Sequence, residues 1–375
     1  MSDFDLTYVT VDSVCEGVGS SQILPLMQRL SQNGLKVQLI SYEKSRPESS
    51  FEQTLKEIGV DWKQLRFQKE HKFSAIYRIS QLARSISNTK LIHARSDMPT
   101  VSAVLSKEGP ILWDIRSLWS DQRSFIESNP LKKKAAELSR GFEWLASKNS
   151  TAISTLTHQV VPLLEERYPN LPKLRIVVPT VVDLDRFRLS RELPSKVLGL
   201  YSGTFNRYYD LNLSKKFTGF LNLIVPTEVH WAKPKESPQE YLGVGEARIF
   251  ESTQQSMANI LKDYSFGLSV CRLDAGPSLK AAMPTKIAEF LATGRPVVVN
   301  KGLGDFDEYL TEFNAGVILD GSESNLRNMA HNLAEILADP ETPMRCRALA
   351  EKYFDVDNGA QKYLDLYPKI LRKTQ

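Results

Sequence analysis

Short apolar segments alternate with amphipathic ones along the first half of the chain. Asp5–Val11 and Leu35–Ser41 have the composition of buried strands, and Ser20–Gln32 between them has the period of an amphipathic helix. The alternation continues to Arg175–Val178 and includes Lys132–Ser147, which we predict to be one long helix. Strands that alternate with helices form parallel sheets with helical crossovers. We therefore predict a doubly wound α/β domain.

The second half of the chain repeats this pattern. Strands are predicted at Lys196–Tyr201, Asn222–Val229, Phe266–Val270 and Pro296–Asn300, with helices between and after them. The segment Val182–Pro194 between the two halves is polar and has no clear period. It therefore marks the predicted boundary between two consecutive α/β domains.

Composition excludes several classes of protein. The chain has 48 Lys and Arg against 44 Asp and Glu, a net charge of +4, which is too small a surplus for a dedicated nucleic-acid binder. No apolar run reaches the roughly 18 residues that a membrane-spanning helix needs. Cys15, Cys271 and Cys346 are far apart and predict neither a disulfide framework nor a metal clasp. We expect a cytoplasmic protein.

The most informative segment is Met283–Asn300, which reads MPTKIAEFLATGRPVVVN. Pro284 suits the first position of a helix, and Gly294 suits the position after its last turn. A strand, a loop and a helix N-terminus in this order form the corner at which α/β sheets bind phosphates. Pro284 and Thr285 are therefore predicted to lie beside a phosphate group.

Two charged residues of this helix are predicted to share one face. Lys286 and Glu289 are three residues apart, which places them side by side on a helix. A cation in the first turn is disfavoured by the helix dipole, so the position of Lys286 indicates an anionic ligand. The alternative is that Lys286 and Glu289 are surface charges that pair with each other.

A glycine turn follows the first predicted strand. Gly17 and Gly19 have the first spacing of the dinucleotide fingerprint, but the sequence GVGSSQ lacks the third glycine. A nicotinamide-dependent oxidoreductase, which the fold alone would also allow, predicts that fingerprint intact.

In sequence and in order, these segments resemble glycosyltransferase family 4, a large retaining family with the GT-B fold. MPTKIAEFLATGRPVVVN resembles the family's P-x-K-x-x-E-[YF]-L-A-x-G-x-P-V-V motif, EGVGSSQILPLMQRLSQNGLKVQLIS resembles its opening strand, turn and helix, and ILWDIRSLWSDQR resembles its D-x-R-x-x-W acceptor-side loop. The resemblance implies two doubly wound Rossmann-like domains facing a central cleft. The acceptor-side domain would span 1–188 and the nucleotide-sugar domain 189–355, with a helix at 356–375 crossing back to the first domain.

The resemblance also implies roles for residues of the second domain. Glu289 matches the family's glutamate that binds the ribose hydroxyls. A carboxylate suits this role because it accepts two hydrogen bonds at once. The preceding glutamate of the family's E-x7-E motif, which sits by the donor sugar, would fall on Ala281. The chain departs from the family here, and Asp274 and Ser278 in the same loop are the candidate replacements.

The donor diphosphate would meet groups from both domains. Arg207 matches the family's arginine, and Lys286 would supply the second positive charge because the customary Lys-Gly step is replaced by Tyr-Tyr-Asp at 208–210. The backbone at Gly17 and Gly19 would approach the phosphates from the first domain. The alternative is that Arg207 is an arginine on the surface of a loop and binds no ligand.

Asp114 and Arg116 follow a hydrophobic strand, at a point where relatives carry a histidine near the donor sugar. We predict them as the candidate catalytic pair. Arg116 would stabilise the departing phosphate or anchor an anionic acceptor. The alternative is that Asp114 and Arg116 form a structural ion pair.

The implied reaction is transfer of a sugar, with retention, from a nucleotide sugar to a hydroxyl of a glycan or lipid-linked acceptor in polysaccharide or lipopolysaccharide synthesis. We expect no cofactor and no metal, because cationic side chains neutralise the leaving diphosphate in this fold and the five histidines lack ligand spacing. The alternatives are a non-catalytic nucleotide-sugar-binding GT-B protein and a nucleotide-sugar epimerase.

The charge is concentrated in the first half of the chain. Residues 1–190 hold 26 basic and 21 acidic residues, a net charge of +5. Lys132, Lys133 and Lys134 open a predicted helix, and a basic helix meets anionic lipid in relatives with lipid-linked acceptors. The alternative is a solvated helix face. We expect peripheral contact with an anionic membrane at the inner face of the cell membrane, and no nucleic-acid partner.

Overall fold

The protein consists of two compact units. A computed structural model describes residues 3–17, 19–47, 49–67, 74–203, 206–233 and 248–373. Unit 1 comprises Met1–Ser120, Lys134–Pro179 and Val356–Gln375, and unit 2 comprises Asp121–Lys133 and Thr180–Asp355. Unit 2 thus takes up a short segment at Asp121–Lys133 that the sequence assigned to the first domain. The chain enters unit 2 again at Thr180, ahead of the boundary predicted at 188, and its last helix belongs to unit 1.

Unit 1 contains one parallel sheet. Its described strands are β1 (Leu6–Val9), β2 (Val37–Glu43), β3 (Val60–Arg66), β4 (Ile92–Arg95), β5 (Ile111–Ile115), β6 (Ala152–Thr155) and β7 (Arg175–Val177). Their order in the sheet is β3-β2-β1-β4-β5-β6-β7. Every residue of β1, β2, β4, β5 and β6 is buried. Helices therefore cover both faces of this sheet, as a doubly wound fold requires.

Between β1 and β7, one described helix separates successive strands, except that three described helices lie between β5 and β6. A turn of π-helix at Gly19–Ile23 leads into α1 (Leu24–Gln32). The helices after it are α2 (Ser49–Glu57), α3 (Ser74–Ser85), α4 (Asp97–Ser106), α5 (Trp119–Ile126), α6 (Pro130–Leu138), α7 (Arg140–Asn149) and α8 (Val160–Arg167). Among the described helices, none is both long enough and apolar enough to cross a membrane.

The single long helix predicted at Lys132–Ser147 is two helices, α6 and α7. The break lies at Ser139, whose hydroxyl donates a hydrogen bond to the carbonyl oxygen of Ala136 at 2.5 Å. Serine side chains compete with backbone amides for such carbonyls, which is why they interrupt helices. The heptad-like spacing of the apolar residues continues across the break and hid it in the sequence.

Unit 2 contains a second parallel sheet. Its described strands are β8 (Val197–Ser202), β9 (Thr227–Lys233), β10 (Arg248–Glu251), β11 (Phe266–Ser269), β12 (Val297–Asn300) and β13 (Gly316–Leu319), in the order β10-β9-β8-β11-β12-β13. Its helices are α9 (Leu211–Ile224), α10 (Gln254–Ile260), α11 (Pro277–Lys280), α12 (Thr285–Ala292), α13 (Phe306–Phe313), α14 (Glu323–Ala338) and α15 (Thr342–Tyr353).

The strand predicted at Asn222–Val229 begins later, at Thr227, because α9 continues to Ile224. Leu213, Phe217 and Leu221 are spaced four residues apart and are all buried, so the helical face extends into the apolar run. The Asn222 side chain then accepts a hydrogen bond from the Thr227 amide and fixes the turn into β9.

Helix α16 (Val356–Lys373) belongs to the core of unit 1. Ala360, Tyr363, Leu366, Tyr367 and Ile370 lie in the same hydrophobic cluster as the strands β1 and β2. These residues recur every three or four positions, which gives the helix one buried face.

Two arginines of unit 2 bind the segment that the sequence marks as a domain boundary. Arg295 is fully buried and donates hydrogen bonds to the carbonyl oxygens of Ser190 and Glu192. Arg347 donates to the carbonyl oxygen of Phe187 at 2.9 Å. The polar segment is therefore held against unit 2 by its backbone, which explains why it needs no hydrophobic period.

Two carboxylates lie buried together in unit 1. Asp97 accepts a hydrogen bond from the Trp113 indole at 3.2 Å, and Glu143 accepts one each from the Ser120 and Tyr168 hydroxyls at 2.6 Å. Burial and the neighbouring Glu143 raise the pKa of Asp97 well above its ordinary value. At neutral pH the fold therefore bears a cost for ionising Asp97 that the unfolded chain does not bear.

We predict that Asp97→Asn stabilises the protein at pH 7–8. An amide keeps the acceptor for the Trp113 indole but carries no charge, so the melting temperature should rise by roughly 2–4 °C per kcal/mol of relieved repulsion. The advantage should shrink as the pH falls below the raised pKa of Asp97, because the wild-type carboxyl is then neutral as well. Melting curves from pH 4 to 8 measure this, with the exposed Glu137→Gln on α6 as control. A loss of stability that is equal at every pH would contradict the account.

Candidate functional site

The carboxyl ends of β8, β11 and β12 lie at one edge of the unit 2 sheet, and α12 begins there. Pro284 occupies the N-cap position of α12, without a side-chain hydrogen bond that caps the helix. The first amides of an α-helix have no partner within the helix, and they carry the positive end of its dipole. Pro284 and Thr285 thus present a helix start suited to an anion.

Lys286 lies in the first turn of α12 and is partly buried. Its ammonium lies 4.4 Å from the centre of the Tyr209 ring. Gly203 faces the ammonium, since a Cβ atom added there would lie 3.6 Å from the Lys286 Nζ, and its φ of +91° favours glycine. Burial lowers the pKa of Lys286 to about 8, although the charge of Glu289 acts in the opposite direction.

Glu289 lies one turn further along α12 and is 5% exposed. The Lys286 and Glu289 side chains do not form the ion pair that was the alternative prediction from their spacing. Across the part of the chain that the structure describes, no carboxylate oxygen lies within 4 Å of the Lys286 ammonium. Lys286 therefore keeps a positive charge that no carboxylate in direct contact offsets.

The Tyr-Tyr-Asp segment at 208–210 has three separate structural tasks. Tyr208 is buried, and its hydroxyl and that of Ser278 are joined by a hydrogen bond of 3.1 Å. Tyr209 lies beneath Lys286. Asp210 caps α9 by accepting a hydrogen bond from the Leu213 amide at 2.9 Å.

Arg207 precedes this segment and is exposed. Within the described residues its guanidinium makes no hydrogen bond and no ion pair. Its side chain is thus accessible to a ligand, and no contact within the described residues identifies which ligand that would be.

The loop between β11 and α12 uses both candidate replacements for the missing glutamate in its own structure. Ser278 is 3% exposed, and its hydroxyl also bonds to the carbonyl oxygen of Ala275 at 2.8 Å. Asp274 receives two hydrogen bonds from Arg272, at 2.9 and 2.6 Å. Ala281 itself is 2% exposed. Ser278 therefore orders this loop, and Asp274 is engaged by Arg272.

In unit 1 the glycine turn is held by a carboxylate that the sequence did not single out. Glu43, at the end of β2, is 3% exposed and accepts hydrogen bonds from the Ser13 hydroxyl and the Val14 amide. A Cβ atom at Gly19 would lie 1.8 Å from the Ser13 carbonyl oxygen, so only glycine fits there. Gly17 has a φ of +57°, which favours glycine.

Asp114 lies at the centre of a buried polar network at the end of β5. It is 1% exposed and accepts hydrogen bonds from the Ser154 hydroxyl at 2.7 Å and the Tyr363 hydroxyl at 3.3 Å. The His93 ring lies 3.4 Å from its other oxygen, and Arg116 approaches to 3.5 Å. Burial alone would raise the pKa of Asp114, but Arg116 and His93 hold it below its ordinary value.

The two predicted catalytic residues differ in how accessible they are to a ligand. Asp114 is surrounded by side chains of unit 1 and is hydrogen-bonded on one oxygen to Ser154 and Tyr363. Arg116 is more open, with a side chain that is 11% exposed. Asp114 and Arg116 are thus in contact, as in the structural pairing that the sequence left open, and their catalytic role stays a prediction.

The described residues contain no preformed set of metal ligands. Among them, no three His, Cys, Asp or Glu side chains are grouped so that they could hold a metal ion. The positive charge near the start of α12 comes from Lys286 and the helix itself.

The sequence matches no protein-family model and no curated protein. Solved structures, in contrast, match nearly the whole chain. Sucrose-phosphate synthase from Thermosynechococcus elongatus matches with a TM-score of 0.71 and 14% identity, covering 98% of this chain and 99% of that one. Anabaena HepE in complex with UDP and glucose matches with a TM-score of 0.67 and 12% identity, covering 96% and 98%.

A glycosyltransferase from Rickettsia africae matches equally well, with a TM-score of 0.67 and 15% identity over 98% of each chain. Identities this low establish the fold and leave the activity open. The two parallel sheets of the described residues, with helices on their faces, agree with these neighbours. The chain therefore has the GT-B fold of the glycosyltransferases, as its sequence motifs predict.

Proposed function

We propose that the protein is a retaining glycosyltransferase, which moves a sugar from a nucleotide-sugar donor to a hydroxyl of a glycan or lipid-linked acceptor. The observation that carries the proposal is the Lys286 ammonium at the start of α12, which forms no ion pair with a carboxylate of the described residues, with Glu289 on the same helix. A cation at a helix N-terminus suits a diphosphate, and a carboxylate one turn on suits ribose hydroxyls. The HepE neighbour, which holds UDP and glucose, supports this assignment.

The chemistry follows from where charge develops. As the glycosidic bond breaks, the anomeric carbon becomes oxocarbenium-like and the nucleoside diphosphate gains negative charge. Lys286, Arg207 and the amides of Thr285 and its neighbours would stabilise that charge without a metal. The leaving phosphate itself would take the proton of the acceptor hydroxyl on the same face, which gives retention and requires no protein base.

Unit 1 would supply the acceptor side. Arg116 would bind an anionic group of the acceptor, and Asp114 would act through Arg116, whose guanidinium it contacts. Glu43 binds Ser13 and Val14 just ahead of the glycine turn at Gly17 and Gly19.

The donor assignment predicts different effects for Lys286 and Glu289. Lys286→Ala should weaken binding of UDP by about 10–100-fold and leave uridine unaffected, because the ammonium would meet only phosphate. Glu289→Ala should weaken both ligands by a similar factor, because both carry the ribose. Calorimetric titration measures both affinities. GDP with guanosine and ADP with adenosine are tested in parallel, because the sequence does not predict which base the donor carries. The exposed Lys216→Ala on α9 is the matched control.

Turnover completes this test. The wild-type protein should release nucleoside diphosphate from one sugar donor when a lipid or glycan extract is added, also in the presence of EDTA. Nucleotide binding without turnover of any donor would overturn the transferase proposal and favour a non-catalytic binding protein. Binding of NAD alone would overturn the donor site as well.

We also propose that α6 brings the protein to an anionic membrane surface, where a lipid-linked acceptor would lie. Only Ala136 of this helix is buried. Leu131 and Leu138 are 82% and 72% exposed, and their spacing of seven residues places them on one face. The lysines at 132–134 stand beside them and are all exposed. Exposed leucines with neighbouring lysines are typical of helices that lie in a membrane interface.

The membrane proposal predicts flotation with vesicles that contain phosphatidylglycerol. The paired change Leu131→Ser and Leu138→Ser should remove most of the bound fraction, since it deletes the apolar contact and leaves the lysines. Leu223→Ser on α9 is the matched control, because Leu223 is 80% exposed as well. If the double variant floats like the wild type, or if Leu223→Ser is equally impaired, the assignment of α6 is refuted.

A further inference from the structure

The Lys286 ammonium rests on an aromatic ring. The distance from its Nζ to the centre of the Tyr209 ring is 4.4 Å, well within the range of a cation–π interaction. Lys286 lies on α12 and Tyr209 on the loop after β8, so the contact joins two elements that meet at the carboxyl edge of the unit 2 sheet.

Backbone hydrogen bonds hold Tyr209 in this place. Tyr209 forms an antiparallel bridge with Cys271, the residue that follows β11 closely. On either side, the Arg272 amide donates to the Tyr208 carbonyl oxygen at 2.9 Å, and the Asp210 amide donates to the Val270 carbonyl oxygen at 3.0 Å. The ring is thus supported by a short two-stranded segment.

A ring and a carboxylate hold an ammonium with different consequences. A carboxylate at this distance would neutralise the lysine and compete with an incoming phosphate for it. The negative face of an aromatic ring attracts the ammonium and adds no net charge. The cation therefore stays available to an anionic ligand while its position is fixed.

The titratable groups around Lys286 are compatible with this state. Burial raises the pKa of the Cys271 thiol to about 12, so the thiol is neutral at physiological pH. Burial also raises the pKa of the Tyr209 phenol, which is neutral too. Glu289 acts on Lys286 through space without touching it, and favours its charged form.

We propose that Tyr209 is a positioning residue for the donor, whose ring holds the Lys286 ammonium where it meets the diphosphate. The Tyr-Tyr-Asp segment stands where the resembled family is expected to carry a Lys-Gly step. Lys286 of α12, held by the Tyr209 ring, would supply the positive charge of that missing lysine. The inference rests on the proposed function, since it names the residue that prepares the phosphate site.

The test compares two replacements of Tyr209. Tyr209→Phe keeps the ring face and should bind UDP like the wild type. Tyr209→Leu keeps an apolar contact but lacks the ring quadrupole, so it should bind UDP roughly 3–30-fold more weakly at pH 7. The pH above which UDP affinity declines should also move down, because the ammonium loses a group that favours its charged form. Titrations from pH 6.5 to 9.5 measure both effects.

Three controls distinguish the possible failures. Lys286→Arg should show no decline of its UDP affinity between pH 7 and pH 9.5, whatever that affinity is, because a guanidinium stays charged there. Unaltered melting temperatures show that the Tyr209 variants are folded. If Tyr209→Leu and Tyr209→Phe share one affinity and one pH profile, the positioning role is refuted and the proposed function stands. If the wild type binds no nucleoside diphosphate at any pH, the proposed function itself is refuted.

Discussion

A parallel sheet covered by helices on both faces can place charge only where its strands end, and this constraint organises both units. In unit 2 every residue of β11 and β12 is buried, so polar chemistry is confined to the loops at their carboxyl ends. The loop after β11 leads to the start of α12, and the loop after the neighbouring strand β8 carries Tyr208 and Tyr209. Unit 1 contains polar groups on buried strands and shows which interactions they require there. Asp114 and His93 lie on buried strands, and hydroxyls of α16 and nearby arginines compensate them.

The fold was largely predictable from the sequence, because helix and strand periods differ and the turn residues mark their limits. The segment from Pro284 to Asn300 illustrates this, since its proline, its glycine and its run of valines coincide with the start of α12, its end and β12. Two of the differences have local physical causes. A serine hydroxyl breaks the helix at Ser139, and an asparagine side chain shifts the strand after Asn222. Period alone carries no information about such side-chain hydrogen bonds.

The site was only partly predictable. The spacing of Lys286 and Glu289 predicts a shared helix face, and the motif resemblance suggests their ligands. Tyr209 is 77 positions before Lys286, and no local pattern indicates that its ring lies beneath an ammonium. Glu43 was equally hidden, because a glutamate at the end of a strand usually faces solvent. The sequence signal for Tyr209 was the Tyr-Tyr-Asp segment at 208–210, which stands where the resembled family is expected to carry Lys-Gly.

The central claim is that the Lys286 ammonium is held ready for a donor diphosphate. Nitrogen-detected NMR of 15N-labelled lysine side chains tests it most directly, with the Lys286 signal identified by its loss in Lys286→Arg. In the free protein this amine should titrate at about pH 8. With saturating UDP, or with GDP or ADP if one of them binds more tightly, it should remain protonated beyond pH 9, because the diphosphate stabilises the charged form. A Lys286 signal that titrates identically with and without bound nucleotide would contradict the account.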